Sequence, residues 1–174
     1  MSARNPVLGL SLALAATSSV FAAPPVGEIR LSPSEIAAMT KGGAGTGTSG
    51  VAGIQTTTLY GDPAVAGPYT IALRVPANTR IAAHTHRDER SAVVVSGTWY
   101  FGYGTKAGEA AVKPLVSGSF YTEPAGAPHF ALTRTEPALV YISGFGPTDT
   151  HYVEAASDPR PSRADRPATT TAHP

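Results

Sequence analysis

Two histidines separated by a single residue, in a segment of β-strand character, constrain this chain more than any other feature. They are His84 and His86. On a strand, alternate side chains leave the same face, so both imidazoles project the same way. Asp88 and Glu89 follow closely with carboxylate oxygens, and the apolar run 91–95 predicts a second strand. Two histidines and a nearby carboxylate make most of a mononuclear metal site.

A later segment offers a third imidazole. Residues 118–129 predict a strand, a turn through Pro124 and Gly126, and then His129 at the start of the next strand. A lone histidine is usually structural or merely exposed. Three histidines at these spacings favour metal binding.

With these residues the chain resembles the cupin superfamily, which is defined by two motifs. The first has Gly, five residues, His-x-His, three or four residues, Glu, six residues and Gly. The second has Gly, five residues, Pro-x-Gly, two residues, His, three residues and Asn. The second motif is matched at Gly118, Pro124, Gly126 and His129, and it departs only at Thr133, where the family has Asn.

The first motif is matched at His84, His86 and Gly97, with two departures. Asn78 stands where the family usually has Gly. Asparagine is the non-glycine residue that best tolerates a positive φ, so we expect this change to be mild. The second departure is Arg90, which occupies the position of the motif's Glu.

Arginine cannot ligate a metal, because its guanidinium stays protonated. We therefore expect Arg90 to turn away from the centre and Glu89, one residue earlier, to supply the carboxylate. Asp88 is one methylene shorter and further from the following strand, so it is the weaker candidate. If Glu89 does not ligate, water completes a three-histidine centre.

The resemblance implies an all-β fold, the double-stranded β-helix or jelly-roll barrel, here with a short N-terminal helix. It also implies one divalent transition metal ion held by His84, His86, Glu89 and His129. This ligand set suits Fe, Mn, Zn, Ni or Cu and does not choose among them. A cupin-like barrel that has lost its metal is the alternative.

Two classes of function follow. The first is a metal-dependent enzyme acting on a small molecule, of oxygenase, isomerase or lyase type. The second is a non-catalytic module that binds a metal or a small ligand, since a fold is no warrant for a reaction. Glu123 is the candidate that separates them: pointing inward it is a catalytic general base, and pointing outward it is a solvated strand residue.

Glycine and proline punctuate the chain, with 18 and 16 among 174 residues, and they favour many short strands over long helices. Residues 54–156 are predicted to form one barrel domain. The N-terminal arm, 23–53, contains a capping box that begins at Ser32 and predicts a helix through Met39. Its glycine-rich end, 42–53, is predicted to be a flexible spacer.

Residues 1–22 have the pattern of a cleavable signal peptide, with Arg4 before an apolar stretch and small residues before the cut. We therefore expect a secreted or periplasmic protein that begins at Ala23. The net charge of +1 and the lack of charged blocks favour neither nucleic acid nor, after cleavage, a membrane as partner. A small molecule is the expected partner, and the sequence leaves open whether the chain forms a homodimer. Residues 157–174 lack apolar patterning and are predicted to be a disordered tail.

Overall fold

A computed structural model describes residues 27–43 and 45–160 of the chain. The predicted signal peptide and residues 161–174 of the predicted tail lie outside the described residues. In the described part no helix is long and apolar enough to cross a membrane.

The described part contains one short helix, ten strands and two turns of 3₁₀ helix. In chain order these are α1 (Pro33–Ala38), β1 (Gln55–Tyr60), β2 (Gly67–Val75), β3 (Arg80–Thr85), β4 (Arg90–Ser96), β5 (Thr98–Tyr103), a 3₁₀ turn (Glu109–Ala111), β6 (Lys113–Val116), β7 (Phe120–Glu123), β8 (His129–Leu132), β9 (Ala138–Gly146), β10 (His151–Tyr152) and a 3₁₀ turn (Ala155–Ser157).

The strands form two five-stranded sheets in which all pairs are antiparallel. One sheet has the order β1-β2-β9-β4-β7, and the other has the order β10-β3-β8-β5-β6. Sequential strands therefore alternate between the sheets along much of the chain, as in a jelly roll. The prediction of an all-β jelly-roll barrel is confirmed.

The helix α1 begins as the sequence predicted. The Ser32 hydroxyl accepts a hydrogen bond from the Glu35 amide at 3.4 Å, and the Glu35 carboxylate accepts one from the Ser32 amide at 2.7 Å. This reciprocal pair is a capping box, with Pro33 in the first turn. The helix ends at Ala38, one residue earlier than predicted.

The hydrophobic core lies between the two sheets, and its residues alternate along each strand. On β4 the inward face carries Ala92 and Val94, whose neighbours along the strand are more exposed. Arg90 has the same parity and is therefore directed inward as well. The buried apolar residues of the main cluster are Ile54, Tyr69, Ile71, Leu73, Val75, Ile81, Ala92, Val94, Trp99, Phe101, Leu115, Tyr121, Ala131, Ala138, Val140 and Ile142.

Two turns, one before β3 and one after β4, need left-handed backbone. Asn78 has a φ of 57°, which confirms that asparagine supplies the positive φ expected there. Gly97 joins β4 to β5 with a φ of 74°, and a Cβ at this position would lie 2.1 Å from the Pro137 carbonyl oxygen. Only glycine fits there without displacing backbone.

The glycine-rich segment packs against the barrel, so the expectation that it serves as a spacer is wrong. Thr48 and Ser49 are only 3% and 5% exposed. Their carbonyl oxygens accept hydrogen bonds from the Thr150 hydroxyl at 2.9 Å and the Tyr152 hydroxyl at 2.6 Å. Composition predicted mobility, but it could not show that barrel residues supply donors to this backbone.

The start of the predicted tail also contacts the barrel. Arg160 donates a hydrogen bond to the Thr150 carbonyl oxygen at 2.8 Å, and its side chain pairs with Asp158. The ordered chain therefore continues at least through Arg160.

Candidate metal centre

Three histidines converge inside the barrel. His84 lies on β3, His86 follows the end of that strand, and His129 begins β8. The strands β3 and β8 are paired, and His84 and His129 are direct partners in the register. One ring nitrogen from each histidine lies within 4.8 Å of the others, and all three residues are at most 5% exposed.

Backbone carbonyls fix the orientation of each imidazole. His84 Nδ1 lies 2.8 Å from the Ala82 carbonyl oxygen, and His129 Nδ1 lies 3.1 Å from that of Ala127. His86 Nδ1 bonds in the same way to the Asp149 carbonyl oxygen. A carbonyl can only accept, so Nδ1 carries the proton and donates in each ring. In the neutral rings Nε2 is then left with a free lone pair.

The inward nitrogens are chemically unsatisfied. His86 Nε2 and His129 Nε2 are buried and have no hydrogen-bond partner in the described part of the chain. Burial lowers the pKa of all three histidines, to about 4 for His84, where the neighbouring His129 adds to the effect. The rings are therefore neutral near pH 7. Neutral imidazoles with free, converging lone pairs fit a transition metal ion.

Glu123 lies at this centre and points inward. It is 3% exposed, and its Oε2 lies 3.7 Å from His86 Nε2 and 3.7 Å from His129 Nε2. Of the two orientations open from the sequence, the structure therefore has the inward one. A catalytic role for this carboxylate stays a prediction.

Arg90 also points inward, and the expectation that it turns away from the centre is wrong. It is 3% exposed, and it forms an ion pair with Glu123, its direct register partner across β4 and β7. Burial, the largest single influence, raises the pKa of Glu123, but the Arg90 guanidinium together with the neighbouring histidines more than offsets it, and the net shift of the pKa is downward. The carboxylate is therefore held ionised. The strand β4 begins at Arg90 rather than at Ser91. The Arg90 side chain therefore takes part in the alternation of the strand and faces inward.

The structure does not bring Glu89 to the histidines. Glu89 is exposed in the turn between β3 and β4 and is not part of the three-histidine group, so its assignment as a ligand is not supported by the geometry. Asp88 is buried but already satisfied. Its carboxylate accepts hydrogen bonds from the Tyr69 hydroxyl at 2.7 Å and the Thr148 hydroxyl at 2.5 Å.

A small cavity adjoins the centre. Its walls include His84, His129, Arg90 and Glu123, together with aromatic side chains and the backbone of the glycine-rich segment at Gly47. About 20 Å³ is open to water, which is room for about one water molecule. The cavity is thus closed to larger molecules in this conformation.

Two further aromatic residues line the cavity, of which Trp99 was not predicted to do so. Trp99 Nε1 and Tyr121 Oη are buried and lack hydrogen-bond partners in the described ranges, and both residues line the cavity. Burial raises the pKa of the Tyr121 phenol well above its usual value, and the Glu123 charge adds to this. The phenol therefore keeps its proton. Neither aromatic residue belongs to a sequence motif. The only signal for them is the alternation of inward and outward side chains along β5 and β7.

The segment 45–50, which we call the N-terminal cover, closes the cavity through few hydrogen bonds. Replacing Tyr152 with Phe removes the bond to the Ser49 carbonyl and leaves the ring in place. Such a bond contributes roughly 1 kcal/mol, about fivefold in an equilibrium. We expect a few-fold faster hydrogen exchange at residues 47–50.

The matched control is Tyr103→Phe, which removes another phenol-to-carbonyl bond, to Thr122, away from the cover. It should leave exchange at residues 47–50 unchanged. Equal exchange in Tyr152→Phe and the parent would show that the bond does not hold the cover closed.

Neither a protein-family model nor a curated protein matches the chain. Solved structures do. The polyketide cyclase RemF from Streptomyces resistomycificus aligns with a TM-score of 0.59 and 14% identity over 76% of this chain and 90% of that chain. An RmlC-like cupin from Shewanella frigidimarina has a TM-score of 0.49 and 15% identity, over 63% and 85%. The DMSP lyase DddQ from Ruegeria pomeroyi has 0.49 and 18%, over 57% and 51%.

The aligned part of this chain spans about half the length of the DMSP lyases that it matches. At these identities the similarity shows the fold alone. The chain therefore has the cupin-like jelly-roll fold that its motifs predicted, and it carries three buried histidines that can hold a metal ion.

Proposed function

We propose that this protein is a metal-dependent enzyme that acts on a small molecule. The metal is one divalent transition ion, Fe, Mn, Zn, Ni or Cu, held by His84, His86 and His129. One observation carries the proposal: the three histidines converge in a buried site, every Nδ1 is committed to a carbonyl, and the Nε2 atoms of His86 and His129 have no partner in the described part of the chain. A purely structural histidine cluster would satisfy those nitrogens with donors.

When bound, a metal of this kind polarises a ligand or activates water or dioxygen. The protein supplies the surroundings for that chemistry. The N-terminal cover and the aromatic wall exclude bulk water, and electrostatic interactions strengthen in such a closed, low-dielectric site.

The free donors of the cavity indicate what the ligand looks like. Trp99 Nε1 can only donate, and the protonated Tyr121 hydroxyl can donate as well. Both residues line the cavity and have no well-formed hydrogen bond in the described ranges, and the acceptor on the same wall, the Glu123 carboxylate, is engaged by Arg90. A ligand bearing an oxygen acceptor would satisfy them. A molecule larger than water requires displacement of the N-terminal cover, whose residues Gly47 and Ser49 form part of the wall.

The second candidate is a non-catalytic module that binds a metal or a small ligand. Two observations favour it. The cavity holds only about 20 Å³ open to water, and Glu123 is engaged by Arg90 rather than free to accept a proton.

Elemental analysis of protein purified from its native compartment tests the shared part of both candidates. We expect one transition metal ion per chain. A screen of small oxygen-bearing molecules with that metal then separates the candidates, with His129→Ala as the metal-free control. Turnover that is lost in His129→Ala supports the enzyme. Stoichiometric metal without turnover or product supports the binding module. Wild-type protein that binds no metal contradicts the enzyme and leaves only a module that binds a small ligand.

We also propose that the protein acts outside the cytoplasm, in the periplasm or as a secreted protein. The support is the signal-like pattern of residues 1–22, together with a cysteine count of 0, which is compatible with any redox environment. Intact-mass measurement of the exported protein should show a chain that begins at Ala23. Exported protein that retains residues 1–22 would contradict cleavage.

A further inference from the structure

We propose that Glu123 is the fourth ligand of the metal centre and that Arg90 positions its carboxylate for this role. The inference rests on the three-histidine centre proposed above. It assigns the carboxylate ligand to β7, in place of Glu89 in the turn between β3 and β4.

The Glu123 carboxylate lies close to two of the three histidine nitrogens. Glu123 Oε2 lies 3.7 Å from both His86 Nε2 and His129 Nε2. Two ligand atoms bound to one tetrahedral ion at about 2.0–2.2 Å are roughly 3.4 Å apart. A displacement of a few tenths of an ångström therefore brings Oε2 to the spacing expected for an ion shared with these two nitrogens. Glu123 lies outside the group of ligand atoms that are all within 4.8 Å of one another, so ligation also requires its side chain to turn towards His84.

The facing atoms offer one another no donor, which suits a cation between them. The two Nε2 atoms present lone pairs, because their rings carry the proton on Nδ1. Glu123 presents a negative oxygen to the same space. With no proton to share, these electron-rich atoms repel one another in a buried site. A metal ion converts that repulsion into coordination.

Arg90 holds the carboxylate in place. Its Nε donates to Glu123 Oε2, its Nη2 forms the ion pair with the same oxygen, and its Nη1 donates to the Gly47 carbonyl oxygen at 3.2 Å. The guanidinium is thus anchored at both ends, on β7 and on the N-terminal cover. Because Glu123 contacts both Arg90 and the histidines, its negative charge lies between the arginine and the ion and reduces their repulsion.

The arrangement places the carboxylate on the other strand of one antiparallel pair. Arg90 occupies the place where the cupin motif has its Glu, and Glu123 occupies the register position directly opposite. Because paired residues of antiparallel strands point to the same side of the sheet, a carboxylate moved across the pair still reaches the barrel interior.

Titration of the purified metal-free chain with Co²⁺ tests the inference, read by affinity and by the visible absorption of the bound ion. The wild type should bind one Co²⁺ per chain. Glu123→Gln should bind it roughly ten- to a hundredfold more weakly or worse, with shifted absorption bands because an anionic oxygen has left the ion. Glu89→Gln, the same change at an exposed carboxylate beside the site, should match the wild type in both readouts.

Glu123→Gln leaves Arg90 buried without its counter-ion, which favours misfolding. A second variant separates misfolding from the loss of a metal ligand. Arg90→Met/Glu123→Gln removes both charges, and it should fold and show the same weakened affinity and shifted bands. Parental affinity and spectrum in the double variant would overturn the ligand role of Glu123 while leaving the three-histidine centre intact. Failure of the wild type itself to bind Co²⁺ would instead overturn the proposed centre.

Discussion

Replacing His84, His86 or His129 singly with Ala should remove most of the bound metal. Each histidine supplies one of the three converging nitrogens, and water replaces a fixed imidazole poorly. Mutating a residue that only holds a ligand in place already lowers metal affinity by roughly ten- to a hundredfold, so the loss of a direct ligand should lower it further. Elemental analysis after dialysis and direct titration with Zn²⁺ measure the effect.

The control is His151→Ala, because the His151 side chain is 73% exposed and pairs with Asp149 instead of the centre. It should retain one metal per chain. A triple variant of His84, His86 and His129 that still binds stoichiometric metal would show that the ion, if any, lies elsewhere.

Replacing Arg90 with Met should destabilise the metal-free protein by about 3–5 kcal/mol, the range for removing one partner of a buried ion pair. Glu123 would be left as an uncompensated buried charge, since its side chain is only 4% exposed. Added Zn²⁺ should restore more stability to this variant than to the wild type, because the ion would compensate the same carboxylate.

Denaturant unfolding with and without Zn²⁺ measures both effects. The matched variant is Arg90→Met/Glu123→Gln, which removes both charges and should recover most of the lost stability, as neutral replacements of buried pairs often do. If Zn²⁺ stabilises Arg90→Met no more than the wild type, Glu123 does not interact with the ion.

The fold could be predicted because the strand signals in this sequence are local. Turn residues such as those around Asn78 and Gly97 separate short β-branched runs, and their backbone has the positive φ that these residue types tolerate. The strand predicted at 91–95 corresponds to β4, which runs from Arg90 to Ser96, and His129 begins β8 as predicted.

The three histidines could also be predicted, because the spacing of His84 and His86 and the turn before His129 are sequence patterns. The orientation of Arg90 could not. Its parity depends on where β4 begins, and the run of three valines from Val93 does not show which face is buried. One residue of register separates a surface arginine from one that pairs with Glu123 in the core.

The N-terminal cover was missed for a different reason. Its glycine content predicts a chain without structure of its own, and that much is local information. Its placement depends on donors that are about a hundred residues away, the hydroxyls of Thr150 and Tyr152. Such long-range pairs leave no periodic signal in a single sequence.

Anomalous diffraction from a crystal grown with Zn²⁺ tests the central claim most directly. The account predicts one strong anomalous peak inside the barrel, about 2.0–2.1 Å from the Nε2 atoms of His84, His86 and His129, with a Glu123 oxygen at a similar distance. A barrel interior without a peak, or an ion bound through Glu89 at the surface, would contradict it.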